Sequence, residues 1–242
     1  MDTTGTGRSP MTGRGLCERI VSTVVDVVFP RRCAGCERRG EWVCAECLAA
    51  LPLAALPLAV PPWCDRCGEA HCQCDRLPAV LGAVRAVGPY DGWLRSAILA
   101  FKYEGETART EHLGDLLAGT LASVESPDIL VPVPLHRRRL RERGYDQADL
   151  LARRVARVTG IPTVRALVRT RATAQQARLG AGDRAGNVAG AFAAAAGTQL
   201  QGARIVLVDD VYTTGSTAAA CGEAALAAGA SWVGAVVLAR GG

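Results

Sequence analysis

The chain has 242 residues, of which 49% are hydrophobic and 21% charged, and a formal net charge of +5. This balance is typical of a globular protein with an apolar core and excludes a mostly disordered chain. No stretch reaches the roughly 18 to 20 unbroken apolar residues of a membrane helix, and the start lacks the order of a secretory signal. We therefore expect a cytoplasmic protein without membrane insertion.

The first third of the chain divides into three segments. Residues 1–13 are rich in Gly, Thr and Ser, which predicts a disordered start. Residues 14–28 carry apolar side chains at helical spacing and precede Pro30, which predicts an amphipathic helix. Residues 29–76 hold eight of the ten cysteines and form the predicted cysteine module.

The eight clustered cysteines occur as four close pairs, at Cys33 and Cys36, Cys44 and Cys47, Cys64 and Cys67, and Cys72 and Cys74. Without an export signal, such pairs favour zinc over disulfides, with a redox dithiol as the alternative. Four thiolates complete one tetrahedral shell, so the module is predicted to be a double zinc ribbon with two structural ions. The simplest partition separates the first four cysteines from the last four. A crossed pairing, and His71 in place of Cys72 or Cys74, stay open.

From about residue 83 the pattern alternates between strands and helices. We predict strands at 83–90, 129–134, 164–168, 204–209 and 231–239, and helices at 92–102, 111–123, 147–158 and 216–228. Residues 170–188 show no clear period and predict a long loop. Such alternation is typical of an α/β domain with a mostly parallel sheet and flanking helices, which we assign to residues 83–242.

The most specific chemical motif is IVLVDDVYTTGST at residues 205–217. Its apolar start predicts a buried parallel strand, and Asp209 and Asp210 follow near the carboxyl end, where open α/β sheets bind ligands. The hydroxyl-rich turn around Gly215 leads into a helix, whose first N–H groups bind anions. A phosphorylated sugar fits both features. The alternatives are a metal or phosphoacceptor site on the two acids, or a plain strand end before a capped helix.

This motif resembles the phosphoribosyl-pyrophosphate (PRPP) motif of type I phosphoribosyltransferases. The cysteine module in front of it resembles the ComF family, competence-protein-like phosphoribosyltransferases with an N-terminal double zinc ribbon. Residues 101–106, 131–148 and 169–187 also resemble family segments, and the likeness spans about residues 16–240. Tyr145-Asp146 departs from the more usual Phe-Asn, which puts the role of that position in question. The resemblance implies the type I phosphoribosyltransferase fold.

The resemblance also implies roles for individual residues. It places Asp209, Asp210, Arg137 and Lys102 in the catalytic set. The residues implied to bind PRPP are Val133, Pro134, Leu135, Arg143, Asp209, Asp210, Val211, Thr213, Thr214, Gly215, Ser216 and Thr217. The implied mobile loop over the site carries Arg171, Thr173, Gln176 and Arg184 and would exclude water. Mg²⁺ would bind together with PRPP.

The implied function is transfer of a phosphoribosyl group from PRPP to an unidentified base or amine, with a link to competence and DNA uptake. The alternative is a non-catalytic module that binds single-stranded DNA or proteins of the competence machinery. The run from His136 to Arg143 contains five arginines, and it fits a pyrophosphate-facing loop, a nucleic-acid patch or a solvated helix start. A homodimer is compatible with the resemblance, and the acceptor is not specified by the sequence.

Overall fold

The structure is a computed structural model that describes residues 31–50, 64–68, 74–170 and 190–241. Several predictions concern residues outside these ranges: the start at 1–13, the helix at 14–28, and most of the loop at 170–188. The same holds for His71, Cys72, Arg171, Thr173, Gln176 and Arg184.

The described residues contain six α-helices and six strands. The helices are α1 (Ala45–Ala49), α2 (Gly92–Tyr103), α3 (Thr110–Leu121), α4 (Arg137–Arg143), α5 (Gln147–Thr159) and α6 (Ser216–Ala227). The strands are β1 (Ala83–Pro89), β2 (Ile129–Pro132), β3 (Leu167–Arg169), β4 (Phe192–Ala194), β5 (Arg204–Tyr212) and β6 (Trp232–Arg240). Within the described ranges, no helix is long and apolar enough to cross a membrane.

Four strands form one sheet in the order β1-β6-β5-β2, and every neighbouring pair is parallel. β5 and β6 pair along their whole length, from Arg204 opposite Trp232 to Tyr212 opposite Arg240. Helices flank this sheet, and the cysteine-rich segment precedes it. The predicted α/β class is therefore confirmed, while the limits of the two predicted domains stay a prediction.

Both faces of the sheet are covered, and β5 shows how the sequence achieves this. Ile205 and Leu207 belong to a core that includes α6, whereas Val206 and Val208 belong to a second core with α2, α3 and α5. All four side chains are fully buried. A strand that is buried on both faces needs a continuous apolar run, and this run supplied the strongest strand signal in the sequence.

Two predicted elements differ from the structure. The strand predicted at 164–168 lies instead at Leu167–Arg169 and pairs antiparallel with β4, outside the main sheet. Only Thr163 forms a bridge to the main sheet, at Leu130. The second is the arginine run, for which a pyrophosphate-facing loop was one interpretation and a solvated helix start another: it forms the helix α4. His136 caps its start by accepting a hydrogen bond from the Arg138 amide, and Gly144, with a φ of 81°, ends it.

Candidate functional site

A crevice opens at the carboxyl ends of β2 and β5. The chain leaving β2 leads to α5 on one face of the sheet, and the chain leaving β5 leads to α6 on the other face. Ligands of open α/β sheets bind where successive connections diverge in this way. The crevice has two adjoining parts, which share Val133, Asp209, Val211, Thr213 and Thr217 as lining residues.

The acid pair lies at the centre of the crevice. Asp210 is buried, and its carboxylate forms an ion pair of 2.7 Å with the Lys102 ammonium at the end of α2. Asp209 accepts a hydrogen bond of 2.8 Å from the Asp210 amide and lines both parts of the crevice. The structure thus brings together three residues of the predicted catalytic set.

The electrostatics of these groups differ. Burial and the neighbouring Asp210 carboxylate raise the pKa of Asp209 well above its usual value, against the opposing charge of Lys102. Burial alone would lower the pKa of Lys102, but the Asp210 carboxylate outweighs it and keeps that pKa above its ordinary value. Lys102 is therefore a fixed cation at neutral pH, whereas Asp209 holds a proton more readily than an exposed aspartate.

The turn at residues 213–215 forms one wall of the crevice and leads into α6. Gly215 has a φ of +76° and, as the N-cap residue, has no side chain to cap the first amides of α6. The Ser216 amide makes a long hydrogen bond of 3.5 Å to the Thr214 hydroxyl. Uncapped N–H groups at a helix start are available to an anion. The hydroxyls of Thr214 and Ser216 are 2.8 Å apart at the same place. A side chain at position 215 would collide with the Tyr212 hydroxyl.

The opposite wall is the loop after β2. The Val133 amide bonds the Val208 carbonyl at 3.0 Å, which anchors the loop to β5. The Leu135 amide donates to one oxygen of Asp146 at 3.3 Å, and the Asp149 amide donates to the other at 3.2 Å. Burial raises the pKa of Asp146, against these two hydrogen bonds. The unusual aspartate thus uses both oxygens as acceptors, which an asparagine could not do.

Gln147 adds an open donor to this wall. Its side chain is buried, it lines the crevice, and within the described residues its Nε2 atom has no hydrogen-bond partner. A buried amide without a partner is costly unless a ligand satisfies it. Gln147 was part of the family-like segment in the sequence, but it was not among the predicted site residues.

Some arginines of helix α4 line the crevice, and others are exposed to solvent. Arg139 and Arg143 line the crevice, and their i, i+4 spacing puts them on one helix face. Arg137, predicted as catalytic, is exposed and is not among the crevice residues. If residues 137–143 had been predicted as a helix, the i, i+4 spacing from Arg143 would have indicated Arg139 instead of Arg137.

Two further crevice residues come from distant segments. Tyr103 is 69% exposed, and the Arg143 guanidinium lies 5.0 Å from the centre of its ring. Arg169, at the end of β3, also lines the crevice and lies 5.3 Å from the Phe192 ring centre. Burial and the nearby charge of Arg139 lower the pKa of Arg169. Tyr103 belongs to the family-like segment at 101–106, but it was not among the predicted site residues.

Seven of the described cysteines form two separate clusters, in agreement with the simplest predicted partition. The first cluster consists of Cys33, Cys36, Cys44 and Cys47, whose sulfurs lie within 4.8 Å of one another. The Cys36 and Cys44 sulfurs are 3.7 Å apart, close to the roughly 3.8 Å edge of a tetrahedral zinc–thiolate site with bonds of about 2.3 Å. Burial opposes ionisation of Cys33, but backbone N–H groups outweigh it and lower the pKa of this thiol.

The second cluster consists, among the described residues, of Cys64, Cys67 and Cys74. The Cys64 and Cys74 sulfurs are 3.3 Å apart. The fourth predicted ligand, Cys72, lies outside the described residues. Each cluster could therefore hold a metal ion, and the donor sets fit the preference of zinc for thiolates.

Comparisons with known proteins identify relatives along most of the chain. No protein-family model matches it. Competence protein F of Haemophilus influenzae is 33% identical over 171 residues, which is 64% of this chain and 75% of that protein. DNA utilization protein YhgH of Escherichia coli K12 is 32% identical over 209 residues, 80% of this chain and 88% of that protein. Competence protein ComFC of Bacillus subtilis is 28% identical over 189 residues.

Two solved structures have weaker similarity. The glutamine PRPP amidotransferase of B. subtilis has a TM-score of 0.38 and 23% identity, and the match covers 54% of this chain and 26% of the enzyme. The adenine phosphoribosyltransferase of Leishmania donovani has a TM-score of 0.37 and 15% identity, and the match covers 59% of this chain and 68% of the enzyme.

Proposed function

The chain belongs to the ComF family of competence proteins, and from this premise we propose that it binds magnesium PRPP and transfers the phosphoribosyl group to a nitrogenous acceptor. The observation that carries the proposal is the crevice between β2 and β5. There, an acid pair, an uncapped helix start and a cationic wall face one another across a single cleft. PRPP combines a ribose with two hydroxyls, a 5-phosphate and a pyrophosphate, so it needs all three features.

Each part of PRPP has a matching surface. Asp209 and Asp210 would accept hydrogen bonds from the ribose hydroxyls, and the turn at 213–217 would bind the 5-phosphate. The pyrophosphate would lie against the loop at 133–135, where Arg139, Arg143 and the Gln147 amide supply donors. Arg139 therefore takes the role that the resemblance implied for Arg137. Magnesium would enter with the substrate and neutralise part of its charge.

The proposed reaction needs no protein nucleophile. The lone pair of the acceptor nitrogen forms a bond to C1 of the ribose, while the bond from C1 to the pyrophosphate oxygen breaks and its electrons leave with pyrophosphate. The acceptor nitrogen then loses its proton to water. Catalysis consists of positioning and of stabilising the departing charge, which suits fixed cations such as Arg143. Lys102 holds the Asp210 side chain in place through their ion pair of 2.7 Å.

Zinc is the proposed ion of both cysteine clusters. Fully thiolate-ligated zinc leaves no open coordination position, so the ions are proposed to be structural. A cysteine module of this size has few large apolar side chains, and metal binding would supply its folding free energy.

The test is calorimetric titration of magnesium PRPP into the wild-type protein and an Asp209→Asn, Asp210→Asn double variant. Asp115→Asn is the matched control, because this exposed aspartate forms an ion pair with Arg154 on the helix surface. We expect binding by the wild type and the control, and a loss of at least about 100-fold in the double variant, since the charge-assisted contact of Asp210 and one acceptor oxygen of Asp209 disappear. Equal affinity in all three proteins would refute the proposed site.

The exposed face of α4 supports a second candidate function, the binding of single-stranded DNA. Arg137, Arg138 and Arg141 are exposed and do not line the crevice, and relatives carry names linked to competence and DNA utilization. Three phosphate contacts would give a salt dependence with a slope of about −2, at roughly −0.7 for each contact. Fluorescence anisotropy with labelled oligothymidine at several salt concentrations would measure it. An Arg137→Gln, Arg138→Gln, Arg141→Gln variant should lose that binding and keep PRPP binding.

A further inference from the structure

The second cysteine cluster lies beside the turn that is proposed to bind the 5-phosphate. We propose that its loop, residues 64–68, positions this turn through two arginines, Arg66 and Arg240, and so determines affinity for the 5-phosphate group. The inference rests on the proposed PRPP function. It makes Arg66 and Arg240 positioning residues, because neither is among the residues that line the crevice.

The first connection runs through Arg66, which lies between the cluster ligands Cys64 and Cys67. Its guanidinium donates one hydrogen bond to the Pro78 carbonyl at 3.1 Å and another to the Leu81 carbonyl at 3.2 Å. Pro78 in turn packs against Gly215, since a Cβ atom on that glycine would lie 3.1 Å from the proline Cγ atom. The position of Arg66 thus fixes one side of the turn.

The second connection runs through Arg240 at the end of β6. Its guanidinium donates to the Cys67 carbonyl at 3.1 Å and lies 5.6 Å from the centre of the Tyr212 ring. The Tyr212 hydroxyl fills the space where a Cβ atom on Gly215 would be. The Tyr212 carbonyl also accepts a hydrogen bond of 2.8 Å from the Gly241 amide. Arg240 therefore joins a cluster ligand to the residue on which the turn rests.

The loop itself is fixed to the sheet next to β1. The Val84 amide donates to the Arg66 carbonyl at 2.9 Å, and the Arg85 guanidinium donates to the Asp65 carbonyl at 2.6 Å. The proposed zinc site at Cys64, Cys67 and Cys74 would fix the loop from one side, and β1 fixes it from the other. Arg66 therefore belongs to a loop that is held in place, and Arg240 is hydrogen-bonded to the same loop, as a positioning role requires.

The experiment compares two probes that occupy different parts of the crevice. Ribose 5-phosphate needs the turn at 213–217, whereas magnesium pyrophosphate needs the loop at 133–135. The variants are Arg66→Met and Arg240→Met, which keep side-chain length and remove the donors. Arg38→Met is the matched control, because Arg38 lies beside the first cluster and pairs with Glu46 on the surface. Zinc content is measured in every protein by atomic emission.

We expect Arg66→Met and Arg240→Met to bind ribose 5-phosphate about 5- to 20-fold more weakly, which is the size of effect expected when a hydrogen bond to a charged group is weakened. Their affinity for magnesium pyrophosphate and their zinc content should equal those of the wild type, and Arg38→Met should change neither affinity. Arg66→Lys should recover part of the loss, since one donor remains.

Three results would overturn the inference. The first is an unchanged affinity for ribose 5-phosphate in both variants. The second is an equal loss of affinity for ribose 5-phosphate and for magnesium pyrophosphate, and the third is a loss of zinc together with weaker ribose 5-phosphate binding. The second and third would indicate general disruption of the fold. If the wild-type protein binds neither probe, the proposed function itself is wrong, and the two failures are therefore distinguishable.

Discussion

The two cysteine clusters share a ligand chemistry but contact opposite faces of the sheet. The first cluster packs on α2 and α3: Val43 belongs to the core that contains those helices, and the Arg109 guanidinium lies 4.5 Å from the Trp42 ring centre. The second cluster packs on β1, β6 and the turn before α6, with Cys67 in the other core. Two clusters with the same thiolate donors thus adjoin a helical core in one place and, in the other, the turn that is proposed to bind a phosphate.

This difference predicts separable consequences. The contact of the first cluster with α2 is at Trp93, near the helix start, whereas Lys102 lies in the crevice near the helix end. Nine residues of helix separate them by about 14 Å at 1.5 Å per residue. Damage to the first cluster should therefore lower stability and affect binding little, while damage near the second should affect binding first.

The largest effect is expected for Gly215→Ala. Alanine at a φ of +76° is strained by about 1–2 kcal/mol, and its Cβ atom would collide with the Tyr212 hydroxyl and press on Pro78. We expect ribose 5-phosphate affinity to fall at least about 100-fold, because the amides proposed to bind the phosphate would be displaced and hydrogen bonds to a charged group are worth about 1.5–3 kcal/mol each. Calorimetry gives the affinity and atomic emission the zinc content, which should not change. Wild-type affinity in this variant would exclude the turn as the phosphate site.

Gly35→Ala is the matching change in the first cluster. A Cβ atom there would lie 2.6 Å from the Cys47 sulfur and 3.1 Å from the Trp93 Cβ atom, so the cluster or α2 must shift. We expect a melting temperature lower by about 5–10 °C, corresponding to roughly 2–3 kcal/mol in a chain of this size, and reduced zinc content. Below the transition, affinity for ribose 5-phosphate should stay within about threefold of wild type. A loss of ribose 5-phosphate affinity as large as that of Gly215→Ala would contradict the expectation that only the second cluster affects binding.

The next prediction concerns the acid pair Asp209 and Asp210, which is proposed to contact the ribose directly. Because burial and Asp210 raise the folded-state pKa of Asp209, the folded protein holds a proton that the unfolded chain releases above about pH 4. Stability is therefore lost as the pH rises from the unfolded pKa toward the raised folded value. Asp209→Asn removes this loss, so the variant should melt higher than wild type, by about 2–4 °C for each kcal/mol of repulsion removed.

Thermal melts from pH 4 to pH 9 check this prediction. The difference between variant and wild type should be small near pH 4 and grow as the pH rises. A constant difference across the range would show that Asp209 does not titrate with a raised pKa. The gain in stability should accompany the loss of PRPP binding, since the strain that the variant relieves belongs to the proposed ribose site.

The fold was largely predictable because its main sheet depends on local signals. The apolar run at 205–208 predicted a strand buried on both faces, and the structure places it at the centre of the sheet. The turn at 213–215 and the start of α6 followed from residue chemistry. The short strands β3 and β4 were not predicted correctly, because three-residue strands leave no clear period and depend on tertiary contacts.

The candidate site was predictable only where one segment contains it. Asp209, Asp210 and the turn are contiguous, so one motif revealed them. Arg143 was predicted from the resemblance, whereas Arg139 needed the helical assignment of α4. Tyr103 and Arg169 come from segments that only folding brings together. The link from Arg66 to Pro78 and from Arg240 to Cys67 joins residues that are 12 and 173 positions apart. Contacts of this kind have no fixed spacing in the sequence, so no motif could have predicted them.

The smallest effect is expected for Arg109, which contacts the first cysteine cluster segment through Trp42. Arg109 is buried, its guanidinium lies over the Trp42 ring, and it forms an ion pair with Glu106. Arg109→Met keeps the apolar stem and removes the cation–π contact, which is worth about 1 kcal/mol at such a site. The melting temperature should fall by about 2–4 °C, while affinity for ribose 5-phosphate and zinc content stay unchanged. Weaker ribose 5-phosphate binding in Arg109→Met, measured below its transition, would mean that the first cluster also communicates with the crevice, because α2 would then transmit a change at its start to Lys102 at its end.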